Sequence, residues 1–438
     1  MAASLVGAAC SSESPSAQDV LGDTVAADVA GDAAHGDLAA PDGGPARDGA
    51  PVNDAAAASD ATVASDATGE ATSEGGTDAF SWQCGPARGL AAPLPACTAS
   101  APCTRPGKEL GVTRIDGQGA APLCKTSAAG RGVFDDSPPR TRVDSRGITR
   151  HVCLFEPPGA SAAAPRALVI FLHGGNGSAD NAYDNTSLRA KAASFDLSGT
   201  GQRPGFFLLS IHGRNVHYPT HNPRDGRHHD FYYRDLASPS SNPDVENVDA
   251  WIDQLVASGK VDRKRIYLTG WSNGGFFSQM YAIARHNTAT PGGSRVAAAV
   301  PFTAADPFNN TSPTQTPSCK LAPYPQSTVP LLVVSRSCDI VACDAQQAAA
   351  LTKQGAVLEP GHVVGPWIAD LASQVKNPNV ERLIVSGKGA AVQSCDHLFC
   401  IEALALLNHV RWPDGVADKS GTDHEPRMLG FMRDHPLP

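Results

Sequence analysis

"RIYLTGWSNGGFFSQMYAIAR", residues 265 to 285, decides how the rest of the chain is read. An apolar run ends at Gly270, and Trp271, Ser272, Asn273 and Gly274 complete a Gly-x-Ser-x-Gly pattern. Phe276, Phe277, Met280, Tyr281 and Ile283 then recur at helical spacing. A serine hydroxyl stands exposed on such a strained strand-to-helix turn only if small residues beside it let the backbone turn tightly. Five residues alone are a weak signal. Their place between a strand and a helix, with Gly275 added, makes Ser272 the candidate nucleophile.

A serine that attacks an acyl carbon needs donors for the oxyanion, and one good donor contributes about 3 to 4 kcal/mol. "ALVIFLHGGNGSADN", residues 167 to 181, places His173, Gly174, Gly175, Asn176 and Gly177 directly after a buried strand. The main-chain N–H of Asn273 and that of Gly175, or its neighbour Gly174, are the expected donors. His173 reads as a loop histidine beside the substrate rather than a base. In "PLLVVSRSCDIVACDAQ", residues 330 to 346, Asp339 lies in a turn beyond a strand and is the candidate to orient a histidine. Asp344, which opens a helical run, reads as an N-cap instead.

Two histidines compete for the base. His409 follows "EALALL", residues 402 to 407, which reads as a strand, while His424 stands at the first turn of a helix carrying Met428, Leu429, Phe431 and Met432. A rigid strand holding an imidazole over the sheet end suits catalysis, so His409 is the candidate.

Apolar runs at 167 to 172, 206 to 211, 265 to 270, 296 to 302 and 330 to 335 alternate with helical patterns such as "DVENVDAWIDQLVASG", residues 244 to 259. Continuous runs of this length mark strands covered on both faces. "TRVDSRGITRHVCLFEP", residues 141 to 157, reads as a hairpin turning at Ser145, Arg146 and Gly147. The expected fold is α/β: a mostly parallel central sheet with helices on both faces and antiparallel first strands.

The stretch "VDAWIDQLVASGKVDRKRIYLTGWSNGG", with "LVIFLHGGNGSADN" upstream and "HVRWPDG" downstream, resembles the polyhydroxybutyrate depolymerase and feruloyl esterase group of secreted α/β-hydrolases over roughly residues 140 to 435. The resemblance implies hydrolysis of carboxylic esters through an acyl-serine: aromatic or acetyl esters of plant polysaccharide, or alternatively polyhydroxyalkanoates. It also implies a catalytic histidine just before a Trp-Pro-Gly turn, which His409 matches ahead of Trp412 and Pro413. The chain departs from that pattern by one extra residue between His409 and Trp412 and by Asp414 before Gly415. No cofactor or metal is implied.

Selectivity is expected from residues 212 to 235, rich in His, Arg and Tyr. Trp271, His173, Trp412 and Tyr232 are the expected substrate contacts. His212, His217, His221, His228 and His229 raise a metal site as a competing reading, but their spacing matches no familiar ligand pattern.

The remaining segments set organisation. Residues 11 to 80 are an acidic Ala, Asp, Gly and Ser linker whose first aromatic is Phe80, so they lack the side chains to build a core. Between Ser11 and Phe80, fourteen acids face the single Arg47, a net of -13 against -9 for the whole chain, which leaves +4 elsewhere. The acidity is linker solvation, with no sign of a nucleic-acid surface. Residues 1 to 10, ending at Cys10, read as a truncated lipoprotein signal or as an unremarkable Ala-rich start. Cys10 is thus a candidate lipid anchor, and the expected location is secreted or on the cell surface. Apart from Cys10, ten cysteines remain: Cys84, Cys97, Cys103, Cys124, Cys153, Cys319, Cys338, Cys343, Cys395 and Cys400. Their even number and lack of two-residue spacing favour disulfides over zinc. Residues 81 to 125 read as a Cys-rich lead-in and 126 to 438 as one catalytic domain, expected to act as a monomer on an ester substrate. A reading of another class, a non-catalytic surface-binding lipoprotein on the same fold, keeps the domain without the reaction.

Overall fold

Seven consecutive buried residues, Arg166–Leu172, make the strand on which the sheet is built. Leu168, Ile170 and Leu172 pack into one apolar cluster, and Ala167, Val169 and Phe171 into another on the opposite face. A strand alternates its side chains, so only a sheet covered on both sides accommodates this sequence. Each large aliphatic so buried stabilises the fold by roughly 1.5 to 3 kcal/mol.

The computed structural model describes residues 102–103, 114–115, 119–126, 131–217, 226–231, 238–287, 293–308, 320–321, 324–336, 364–385 and 408–438. Among the described residues the central sheet has eight strands: β1 Arg140–Val143, β2 Thr149–Phe155, β3 Arg166–Leu172, β4 Phe207–Ile211, β5 Val261–Trp271, β6 Ala298–Phe302, β7 Leu331–Arg336 and β8 Val380–Val385. Their order across the sheet is β8-β7-β6-β5-β3-β4-β2-β1. From β4 to β8 all neighbours are parallel, while β2 runs antiparallel to both β4 and β1. Together with the strand-to-helix turn at Ser272, this is the α/β-hydrolase fold.

Among the described residues, six helices cover the sheet: α1 Asn181–Asp184, α2 Leu188–Ala192, α3 Pro243–Ala257, α4 Asn273–Arg285, α5 Val364–Ser373 and α6 Glu425–Asp434. Trp251 of α3, Phe277 and Tyr281 of α4 and Trp367 of α5 fill one face; Tyr183, Leu188, Met428 and Phe431 fill the other. The start of α3 follows from its sequence, since the Asn242 side chain accepts from Asp244 N at 2.8 Å and Val245 N at 3.3 Å, with Pro243 in the first turn.

The strands predicted at 167 to 172, 206 to 211, 265 to 270, 296 to 302 and 330 to 335 and the hairpin are present, with ends shifted by a few residues. β8 and α5 were not anticipated: β8 is a partly exposed edge strand carrying Glu381 and Arg382, so it shows no apolar run. Residues 401 to 407 lie outside the described residues, but Asn408 and His409 have helical backbone. His409 is therefore carried by a helical turn, not by the end of a strand as expected.

The lead-in joins the domain directly. Cys124 is bonded to Cys153 in β2, and Arg114–Ile115 pairs with a ribbon formed by Arg214–His217 and Gly226–His228. Asp180 accepts from the main-chain N–H groups of Leu123 and Cys124 at 2.9 and 2.7 Å.

Candidate active site

β5 delivers Ser272 in the left-handed region, at φ 52° and ψ -118°. Its N–H donates to Phe302 O at 3.1 Å, and its own carbonyl accepts from Phe276 N at 2.9 Å to start α4. The glycines around it are steric requirements. A Cβ on Gly270 would run into the Gly274 carbonyl, and one on Gly274 into the Leu172 carbonyl. One on Gly275 would lie 2.8 Å from Phe302 O and from Ala304 Cβ. The half-buried hydroxyl therefore projects from a turn that its neighbours leave no room to relax.

His409 meets it. Its Nε2 lies 2.7 Å from Ser272 Oγ, and the residue is buried. The Trp271 Nε1–H donates to the His409 carbonyl at 2.7 Å, and Arg336 Nη2 donates to the Arg411 carbonyl at 2.9 Å. His424 stands at the N-cap position of α6, where its N–H donates to Pro413 O at 2.9 Å. Asp339 lies outside the described residues, three positions beyond the end of β7.

The turn after β3 lies beside the serine. A Cβ on Gly174 would be 3.5 Å from Ser272 Cβ, and Gly175 is exposed. The Gly174 carbonyl accepts from the Gly177 N–H at 3.0 Å and lies 2.6 Å from His173 Nδ1. Because a trans peptide points its C=O and N–H in opposite directions, this double anchor turns the Gly175 N–H away from the His173 ring. The main-chain N–H groups of Gly174, Gly175 and Asn273 are not engaged by other main-chain groups among the described residues.

Burial corrects the expected substrate contacts. His173 is fully buried, and its Nε2 accepts from Gly213 N at 2.9 Å, which places the ring proton on Nδ1, facing Gly174 O. Burial lowers its pKa to about 3, so it is a neutral strut of the glycine turn and not a substrate contact. Trp412 is also fully buried, its ring edge-on to Phe171 and Phe302 with centroids 5.6 and 5.2 Å away. Trp271 is 8% exposed, and its polar atom is committed to the loop of His409. Tertiary packing, invisible in a local pattern, made these indoles internal. Tyr232 lies outside the described residues.

Sequence reasoning missed how the ribbon is clamped to this turn. The Asn273 side chain accepts from His229 N at 2.8 Å and donates to His229 O at 3.0 Å. Arg227 Nη1 donates to Gly177 O at 2.9 Å, Asn176 N donates to Arg227 O at 2.8 Å, and a Cβ on Gly175 would lie 2.9 Å from the His228 ring. His228 thus forms a wall beside the exposed glycine. The richness of residues 212 to 235 in His and Arg was the available signal; the bidentate use of Asn273 left none.

Beneath the ribbon lies a buried charge network. Arg150 pairs with Asp144 at 3.3 Å and with Asp244; Arg214 pairs with Asp244 at 3.2 Å and Asp230 at 3.4 Å. Burial opposes ionisation of Asp244, but Arg214 and Arg150 outweigh it and hold the carboxyl well below the usual range. His229 is buried beside it, and burial holds that imidazole neutral. Among the described residues, no three or more His, Cys, Asp or Glu side chains converge as a metal site.

No family model matches the chain, and no curated protein does. Solved structures match at low identity. A thermostable esterase is 15% identical over 69% of this chain and 63% of its own, with a TM-score of 0.36. Dipeptidyl peptidase 4 of Porphyromonas gingivalis is 14% identical over 68% of this chain and 35% of its own, TM-score 0.37. S-formylglutathione hydrolase of Staphylococcus aureus is 13% identical over 57% of this chain and 90% of its own, TM-score 0.35. The chain thus spans less than two thirds of the first two. Likenesses this distant say nothing of substrate.

Proposed function

We propose that the protein is a serine hydrolase of carboxylic esters that works through an acyl-serine. The observation that carries this is the 2.7 Å approach of His409 Nε2 to the hydroxyl of Ser272, itself held in a left-handed turn. Ser272 Oγ attacks the acyl carbon while His409 takes its proton, then returns it to the departing alcohol; water repeats the cycle and frees the acid. Asp339 is proposed to orient His409, and the N–H groups of Asn273 and of Gly175, or Gly174, to hold the oxyanion. The resemblance in the motifs around Ser272 and His409 supports feruloyl or acetyl esters of plant polysaccharide as substrates, with polyesters as the alternative. The Cys124–Cys153 bond supports action in an oxidising compartment, outside the cytoplasm. Anchoring through Cys10 and a monomeric state belong to the same proposal.

The experiment is labelling with a fluorophosphonate, followed by a panel of methyl ferulate, acetylated xylan, p-nitrophenyl acetate and hydroxybutyrate oligomers. Ser272 should carry the label, and Ser272→Ala should lower kcat by at least about 1,000-fold on whichever ester the wild type cleaves. A fully active Ser272→Ala preparation would end the proposal. Chelators should leave the rate unchanged; inactivation by them would revive the metal reading of the histidine-rich segment.

A further inference from the structure

Glu425 opens α6 and is fully buried. A carboxyl there must find donors, and it finds three. Oε1 accepts from Trp412 Nε1 at 2.6 Å and Ser187 N at 3.0 Å, and Oε2 accepts from Lys191 Nζ at 2.7 Å. The Trp412 ring packs on Phe171, two residues before His173, and on Phe302, whose carbonyl accepts the Ser272 N–H. Three residues before Trp412 along the chain is His409.

We propose that Glu425 is a positioning residue for the base: by holding Trp412 through its indole N–H, it fixes the turn that brings His409 onto Ser272. This rests on the reading of Ser272 and His409 as nucleophile and base. Glu425 touches no substrate. Trp271 and Arg336 secure the main chain of the same turn, whereas the bond to Glu425 sets the rotation of the indole at its end. Well-packed apolar residues commonly replace buried ion pairs without loss of stability, so packing alone gives little reason for a carboxyl here.

The groups facing Glu425 are Lys191 from α2 and Asp414 and Asp423 from the segment before α6; Arg131 pairs with Asp414. Burial pushes the Glu425 carboxyl up to about 7, against the pull of Lys191 and with the push of Asp414 and Asp423. Because burial outweighs its donors, the fold favours the protonated carboxyl, and ionisation as pH rises through about 7 works against the packing that holds Trp412.

A double-mutant cycle in the full chain tests this, with Glu425→Gln, Trp412→Phe and both together assayed on p-nitrophenyl acetate. Gln keeps the shape and one acceptor, and Phe keeps a ring but loses the donor. Each single variant should lower kcat about tenfold with KM within about twofold, and the double should be no slower than the slower single. The kcat profile should lose an ionisation near pH 7 in Glu425→Gln. The His409 imidazole resonance should shift in both single variants, which reads ring position without turnover. Losses that multiply, or an unchanged kcat and His409 resonance in a folded single variant, would overturn the proposal. If Glu425→Gln does not fold, Trp412→Phe decides by the same two readouts. No wild-type turnover, with the resonance shifts present, would strike the esterase reading alone and leave the positioning role standing.

Discussion

Ser272 holds a left-handed conformation that costs a non-glycine residue of order 1 to 3 kcal/mol, and the surrounding glycines are what make it the least bad option. Gly274 is the tightest of these, pressed against the Leu172 and His173 carbonyls. Gly274→Ala should therefore destabilise the protein by about 1 to 3 kcal/mol in urea titration and abolish fluorophosphonate labelling of the fraction that folds. Normal labelling in that variant would mean the turn has slack enough to absorb a methyl group. This scale was the most legible in the sequence, because a turn's steric needs are written in its own five residues. Whether a tryptophan faces a substrate or the core depends on what distant segments lay over it, so Trp271 and Trp412 were misplaced. Asp414, seen beforehand only as a departure from the family pattern, turns out buried: its carboxylate caps Ala417 N at 2.8 Å, accepts from Ser187 Oγ at 2.9 Å and pairs with Arg131.

Among the elements, the ribbon is held from two sides, by the Asn273 clamp above and by the Arg150, Arg214 and Asp244 network below. Asp244→Ala would leave two buried guanidinium groups without their shared partner and should cost about 3 to 5 kcal/mol, read as a fall in the urea midpoint. Asn273→Ala removes two hydrogen bonds to His229 while keeping the main-chain N–H of residue 273. It should raise KM more than it lowers kcat, since the wall at His228 loosens but the proposed oxyanion donor stays. A larger loss in kcat than in KM would show that the side chain serves the elbow instead. Strands β3 to β7 were readable because both faces are buried and their apolar runs are unbroken. The ribbon was readable only as a polar segment, since its strands owe their order to partners rather than to pattern.

For the molecule as a whole, buried titrating groups pull stability in opposite directions with pH. Folding lowers the pKa of His173 from 6.5 to about 3 and that of His229 well below 6.5, so both bind protons more readily when unfolded. Their contribution is intact above pH 6.5 and is lost as pH falls, at roughly 1 kcal/mol per unit for each. Folding raises the Glu425 pKa from 4.5 to about 7, so its contribution is full below 4.5 and is lost as pH rises through 7. Two histidines outweigh one glutamate, and urea midpoints measured from pH 4 to 8 should peak near 6.5. A midpoint that still climbs beyond pH 7 would contradict this balance.

The Cys124–Cys153 bond closes a loop with a sequence separation of 29, and its reduction should cost roughly 3 kcal/mol. It also decides how the domain answers a mechanical pull. Tension applied to the chain before Cys124 bypasses the edge strand β1 and passes through the sulfurs into β2, which is bonded along both sides, to β1 and β4. With the bond intact, the force must drag a strand out from between two neighbours; once it is reduced, the same force runs through residues 125 to 139, anchored by Thr126 on Asp184 and Arg131 on Asp414, to the edge strand β1, which can peel away one residue pair at a time.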